Sequence, residues 1–268
     1  MIDAEGIIYV GQLNKYNQEG SKPTALGTRL RVSDAGSCER QRWYKGMGFD
    51  ESEVPDMQTL LAFHVGNAIH DFVQEAFVRQ AKAGGVSVEL EVPVDCRPLG
   101  VDMSGSADLV VTYQDGHKIV VEFKSASAYG SKLAREAPKR EHVAQAGLYA
   151  RGVGADEIMI VYVAKETSFR DKVRAGDVYQ HHFKLNDPVF DDGLTVFNIT
   201  EFELIRFERV EDALDRNVVA RPVVYDDGLK TVEVPGPFGV ASKKSHWECR
   251  YCLFNSLCLG VGPDEVNV

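Results

Sequence analysis

Asp108-Leu-Val-Val-Thr-Tyr-Gln-Asp-Gly-His-Lys-Ile-Val-Val-Glu-Phe-Lys124 reads as a β-hairpin. Asp108 to Tyr113 is one strand, Asp115-Gly116 is the turn, and His117 to Lys124 is the second strand. Side chains alternate along a strand, so Glu122 and Lys124 share one face and Phe123 takes the other. Asp108 and Glu122 both lie at the open end, away from the turn. The hairpin therefore brings two carboxylates and one ammonium to the mouth of a small sheet.

Adjacent carboxylates resist joint ionisation unless a cation lies between them. A hard divalent ion such as Mg²⁺ or Mn²⁺ prefers oxygen ligands and keeps some of its water. There it can polarise a phosphate oxygen and lower the pKa of a bound water. Lys124 would orient that water or neutralise charge growing on phosphorus. Phosphoryl transfer needs mainly positioning and charge stabilisation, and the trio supplies both.

Three features surround the trio. Gly105 lies just upstream of Asp108, where the backbone must turn or approach something closely. Gln145 and Tyr149 are four apart on an expected helix and share a face. Gly66-Asn-Ala-Ile-His70 lies in a long helical segment, and His70 adds a candidate nitrogen ligand. This order of G-x-x-x-H, G-x-x-D, E-x-K and Q-x-x-x-Y resembles the RecB-like branch of the PD-(D/E)xK nuclease superfamily. The resemblance implies metal binding by His70, Asp108, Glu122 and the Phe123 carbonyl. It implies that Lys124 is the catalytic lysine and that Gln145 and Tyr149 position the lysine, the water or the DNA backbone. The residue before Asp108 is Ala107, where the superfamily's name has proline.

The chain has five cysteines. Cys249, Cys252 and Cys258 form C-x₂-C-x₅-C near the C-terminal end, while Cys38 and Cys96 stand alone. A four-thiolate centre needs one of the latter two, and spacing alone suits Zn²⁺ as well as an iron–sulfur cluster. One early cysteine, then the nuclease core, then three late cysteines resembles the CRISPR-associated iron–sulfur exonucleases and AddB-type nucleases. The resemblance covers residues 30 to 260 or so. It implies a [4Fe–4S] cluster at Cys38, Cys249, Cys252 and Cys258, with Cys96 left over. With no secretion signal read at the N-terminus, the thiols are expected reduced and the protein cytoplasmic.

The 268 residues are 44% hydrophobic and 26% charged, a globular composition with no apolar run of membrane-spanning length. A net charge of -10 argues against general coating of nucleic acid, and DNA binding then needs a local basic strip. Lys132, Arg135, Lys139 and Arg140 are the main candidate; Arg40, Arg42 and Lys45, and Lys243 and Lys244, are others. Trp43, Tyr44 and Tyr129 are candidates for base stacking.

The pattern along the chain predicts a short strand at Ile7–Val10 and a helix carrying Cys38, capped by Ser33 or Asp34. It then predicts a long helix from Met57 to Lys82 with an apolar stripe at Leu61, Val65, Ile69, Phe72, Ala76 and Phe77. Strands follow at Val86–Val94 and through the hairpin, then a helix Lys139–Arg151 and a buried strand Glu157–Ala164. Val178–Leu185 reads as an outer strand, and a helix is expected from Asn186 to about Asn217. This order matches an α/β restriction-endonuclease-like core, a mixed central sheet flanked by helices, at about 56–220. A small iron–sulfur cap from 30–46 and 240–260 would join the two ends, giving a single domain.

The leading expectation is a metal-dependent exonuclease acting on single-stranded DNA or DNA ends. A DNA-end-binding adaptor with little activity and a zinc-stapled non-enzymatic protein are the alternatives. No G-x-x-x-x-G-K-[ST] loop is present, so unwinding would need a helicase or a recombination or CRISPR-adaptation partner.

Overall fold

The hairpin forms as two long strands at the centre of the structure, a computed structural model. It describes residues 4–20, 24, 26–51, 55–187, 189–191, 196–220, 233–235, 241–243, 252–254 and 257–258. In chain order the helices are α1 (Ala4–Gly20), α2 (Glu39–Gly46), α3 (Met57–Gly84), α4 (Ala128–Glu136), α5 (Arg140–Val153) and α6 (Ile199–Asp215). The strands are β1 (Leu30–Arg31), β2 (Ser87–Asp95), β3 (Met103–Thr112), β4 (Lys118–Ala126), β5 (Glu157–Ala164) and β6 (Val178–Lys184). The short strands β7 (Val189–Asp191) and β8 (Val196–Asn198) pair with each other, as do β9 (Glu233–Pro235) and β10 (Ala241–Lys243). The chain divides into two compact units, Met1–Gly36 with Asp56–Ile205, and Ser37–Pro55 with Arg206–Val268.

The first unit holds a six-stranded mixed sheet in the order β1-β3-β4-β5-β6, with β2 also on β3. β3 and β4 are antiparallel, β4 and β5 parallel, β5 and β6 antiparallel. The parallel step needs a crossover, which α4 and α5 provide. Gly116, at φ 87°, supplies the left-handed residue that closes the hairpin. On one face Leu109, Ile119, Val121, Phe123 and Val161 form a core against Val73 and Phe77 of α3. Each such side chain, fully buried, contributes about 1.5–3 kcal/mol. β5 is a nearly continuous apolar run, as a strand with both faces covered requires. β6 alternates exposed and half-buried positions at the sheet edge.

Several expectations change. Ile7–Val10 lies inside helix α1, with Ile7 and Val10 more than half exposed. Four residues of alternating polarity cannot distinguish a strand from a turn of helix. Helix α3 matches its expected span and ends at Gly85, φ 72°. Its buried side is displaced, however: Leu60, Gln74 and Ala81 are buried, while Leu61 and Phe72 are exposed. The helix is apolar on more than one side, and docking selects which side faces the sheet. α4 was not expected; Ser127 starts it by accepting the Gly130 N–H. The helix expected from Asn186 instead begins at Ile199, after the β7–β8 pair. Asn198 Oδ1 accepts the Thr200 and Glu201 N–H groups there, while Pro188 lies outside the described residues.

In the second unit Cys38 occupies the N-cap position of α2, and Ser33 and Asp34 belong to a separate 3₁₀ turn in the first unit. The reason is local: the backbone between the turn and α2 is extended at Ala35 (ψ 137°) and left-handed at Gly36 (φ 80°), which breaks the helix. Trp43 and Tyr44 are buried, Tyr44 stacks on Phe254 at 5.4 Å, and Arg42 lies over Phe207 at 4.2 Å. Glu39, also buried, takes Arg206 and Arg209. Trp43, Tyr44 and Arg42 are therefore core residues of this unit rather than base-stacking or basic-strip positions. No helix among the described residues is long and apolar enough to cross a membrane.

Candidate active site

The site is a fork in the sheet. Pairing of β3 with β4 runs from Thr112–Lys118 to Leu109–Val121 and stops there. The next opposed residues are Asp108 and Glu122. Asp108 Oδ2 accepts the Phe123 N–H at 2.7 Å, so a side chain replaces the ladder bond where the strands part. The Phe123 ring points the other way, into the core beneath α3. Its carbonyl accepts a hydrogen bond from His70 Nε2 at 2.6 Å, and the same nitrogen is 3.5 Å from Asp108 Oδ2. His70, Asp108 and the Phe123 carbonyl thus converge.

Lys124 is held at two points. Its Nζ lies 2.7 Å from Glu122 Oε1 and donates to Gln145 Oε1 at 3.0 Å. Gln145 Nε2 in turn donates to Tyr149 OH at 3.3 Å. Gln145 and Tyr149 share the face of α5 turned to the sheet, and both are buried. Burial opposes the Lys124 charge, but Glu122 and Asp108 more than offset it and its pKa rises, so it stays an ammonium. Burial, with Glu122 adding, raises Tyr149 well above the ordinary phenol range, so its hydroxyl stays neutral.

Charge is left over at the fork. Glu122 is 1% exposed, and its Oε2 is buried without a hydrogen-bond partner among the described residues. Burial, then the neighbouring Glu122 charge, pushes Asp108 up to about 8. An unpartnered buried carboxylate oxygen beside a carboxyl that resists ionisation is the environment a divalent cation relieves. The oxygen-rich donor set fits Mg²⁺ or Mn²⁺. The site opens into a cleft of about 340 Å³ lined also by Arg31, Ser33, Ser104 and Ser106. Gly105 lines it too, and a Cβ there would lie 2.7 Å from the Tyr149 ring. The close approach read at that glycine is therefore to Tyr149.

Sequence reading missed Glu91 and Gln74. Glu91 lies on β2 directly across from Asp108, between the pairs Leu90–Leu109 and Val92–Ala107. Gln74 Nε2 donates to Glu91 Oε1 at 2.8 Å and to the Asp108 carbonyl at 3.1 Å. An acid inside the run Val86–Val94 and a glutamine one helical turn after His70 were the available signals.

None of Lys132, Arg135, Lys139 and Arg140 lines the cleft. Lys132 faces Asp171 at 3.8 Å, and Arg135 donates to the Lys172 carbonyl and to Tyr179. Lys139 pairs with Glu141 at 3.6 Å, and Arg140 lies over Phe202 at 5.7 Å. Tyr129 is 60% exposed.

In the second unit Cys38, Cys252 and Cys258 are free thiols and neighbours. Burial raises Cys252, and Cys38 and Cys258 raise it further. Arg40 donates to Cys258 Sγ at 3.6 Å, and the Phe254 N–H to Cys252 Sγ at 3.4 Å. Cys249 and Lys244 lie outside the described residues. Cys96 is fully buried in the first unit, and burial pushes its thiol up to about 12.

The family model of the PD-(D/E)XK nuclease superfamily matches residues 36–259. The chain belongs to that superfamily. PD-(D/E)XK nucleases use divalent metals, in keeping with the donor set at the fork. No curated protein matches the sequence. Among solved structures, SSO0001 superposes with a TM-score of 0.51 at 15% identity, covering 95% of each chain, which shows a shared fold. Laribacter hongkongensis alkaline exonuclease, LHK-Exo, is also similar. Its structure gives a TM-score of 0.43 at 14% identity, covering 70% of this nuclease and 90% of that chain. Its dAMP complex gives 0.46 at 13%, with 70% and 88% covered.

Proposed function

We propose that this nuclease is a metal-dependent DNA exonuclease of the RecB-like branch, acting on single strands or DNA ends. The observation that carries the reading is the fork itself, with Asp108 opposed to Glu122 and the unpartnered Glu122 Oε2 beside Lys124. Asp108, Glu122, His70 and the Phe123 carbonyl are the residues that would hold Mg²⁺ or Mn²⁺. The ion, when bound, supplies Lewis acidity toward a phosphate oxygen and a more acidic water.

The chain's own residues do the rest. Lys124 stays charged and is aimed by Glu122 and Gln145, so it can donate to a phosphate oxygen as negative charge grows there. Gln145, anchored on Tyr149, limits the rotamers open to Lys124. Serine hydroxyls at Ser33, Ser104 and Ser106, with Arg31, offer the cleft donors for a phosphodiester backbone.

The second unit completes the proposal. Cys38, Cys252 and Cys258, with Cys249, would hold a [4Fe–4S] cluster joining the early and late segments of a single nuclease domain. Three neighbouring thiols in one unit support that reading. Unwinding would come from a helicase or a recombination or CRISPR-adaptation partner in the cytoplasm.

The test is Mg²⁺- or Mn²⁺-dependent degradation of end-labelled single-stranded DNA by the wild type and Lys124→Ala side by side. Loss in the variant of roughly 10²–10³-fold or more is expected. Equal activity in both would move the chemistry elsewhere. No degradation by either, in metal-replete protein, would favour a DNA-end-binding adaptor.

A further inference from the structure

Three carboxylates stand in one row across three adjacent strands. Glu91 on β2 opposes Asp108 on β3, and Asp108 opposes Glu122 on β4. Glu122 and Asp108 belong to the fork already described, and Glu91 extends the row to the far side of Asp108. We infer that Glu91, with Asp108 and His70, forms a second divalent-cation position on the β2 side of Asp108. The inference rests on reading Asp108 as a metal ligand.

One ligand atom from each of His70, Glu91 and Asp108 lies within 4.8 Å of the other two. Two oxygens and an imidazole nitrogen at that spacing can share one ion. The groups that orient Glu91 are neutral: Gln74 Nε2 donates to its Oε1 at 2.8 Å and Ser106 Oγ to its Oε2 at 3.0 Å. They fix the carboxylate without cancelling its charge, as neutral donors around a ligand do. His70 and Gln74 are one turn apart on α3, so one helix face supplies both a ligand and the group that holds another.

A separate observation lies at the other end of the row. The Glu122 Oε2 atom is buried and unpartnered, so the fork has an acceptor for one ion that the Glu91 side does not reach. Asp108, between them, is the residue both positions would share. Such an arrangement places cations on both sides of one carboxylate, where a phosphodiester could be clamped at its attacked and leaving oxygens.

Glu91 also has φ 47°, a region that side-chain-bearing residues seldom occupy, and glutamate has no local reason to adopt it. Asparagine tolerates this conformation better than most residues. Glu91→Asn therefore removes the charge while suiting the backbone, and Glu91→Gln keeps the length.

The experiment is Mn²⁺ titration of the full chain without DNA, by calorimetry and by electron paramagnetic resonance. Mn²⁺ favours oxygen and imidazole over the thiols of the second unit. The wild type should bind two ions. Glu91→Gln and Glu91→Asn should each bind one, the lost ion weakened by at least about 10-fold. Asp108→Asn should disturb both. One ion in the wild type and in both Glu91 variants, at equal affinity, would overturn the second position while leaving the fork reading intact. No ion in the wild type would overturn both.

Discussion

Asp108 and Glu122 oppose each other at the first position where β3 and β4 no longer pair, and Asp108 Oδ2 takes the Phe123 N–H that the ladder would have used. One side chain thereby closes a strand end and presents a carboxylate to the cleft. Stability and chemistry are set against each other there, because the same burial that fixes the geometry penalises the charge.

That conflict predicts the behaviour of Asp108→Asn. Asparagine can still accept the Phe123 N–H, but it removes a buried charge beside Glu122. Metal-free Asp108→Asn should be more stable than the wild type at pH 8 and above, by on the order of 1–3 kcal/mol. Mn²⁺ should raise the melting temperature of the wild type and not of the variant. Thermal melts with and without Mn²⁺ decide it; a variant that keeps the full Mn²⁺ shift would show that Asp108 is not a ligand.

Gln145 tests positioning. Gln145→Ala removes the acceptor that aims Lys124 and should cost about 0.5–1.5 kcal/mol of stability. Turnover should fall with little change in KM, and Gln145→Glu should restore part of it by returning an acceptor. An equal rise in KM with unchanged kcat would mean Gln145 contacts substrate rather than Lys124.

Gly105 tests the close packing behind the cleft. A Cβ there would meet Tyr149 Cε1 at 2.7 Å and Val32 Cβ at 3.2 Å. Gly105→Ala should destabilise by roughly 1–3 kcal/mol through overpacking and should lower activity by displacing Tyr149. Pairing it with Tyr149→Phe, which removes the hydroxyl and keeps the ring, separates packing from the hydrogen bond to Gln145. If Gly105→Ala melts with the wild type, Tyr149 is not held against it.

His142 carries a pH dependence. It meets Tyr162 OH at 2.8 Å, and burial, then Lys124 and Lys139, lowers its pKa to about 2. An unfolded imidazole protonates below about 6.5, while the folded one stays neutral. The unfolded state then binds the extra proton, so stability falls as pH drops from about 6.5 toward 2, by at most about 1.4 kcal/mol per pH unit from this group. His142→Gln should flatten that slope in denaturant unfolding measured at pH 6.5, 5.5 and 4.5. An unchanged slope would assign the acid sensitivity to other groups.

The cysteines separate cleanly. Cys38→Ser and Cys252→Ser should each lose bound iron and lower the melting temperature, and Cys96→Ser should keep the iron. Iron and zinc content of the purified proteins, with the visible spectrum, read this out. Zinc without iron in the wild type would replace the cluster with a zinc staple.

The sequence by itself determined what local periodicity controls. A two-residue repeat places Glu122 and Lys124 on one face, and the turn at Asp115-Gly116 sets the register that makes Asp108 level with Glu122. The order of the remaining site residues was equally legible, since His70, Gln145 and Tyr149 lie on helices whose existence their own patterns declare. Only tertiary structure decided which side of α3 faces the sheet, that Ile7–Val10 is helical, that Trp43 and Tyr44 are buried, and that Glu91 joins the row. Each of these depends on a neighbour distant in sequence: a helix apolar on several sides takes its orientation from what it docks against. A strand residue likewise gains its partners only once the adjacent strand is laid beside it.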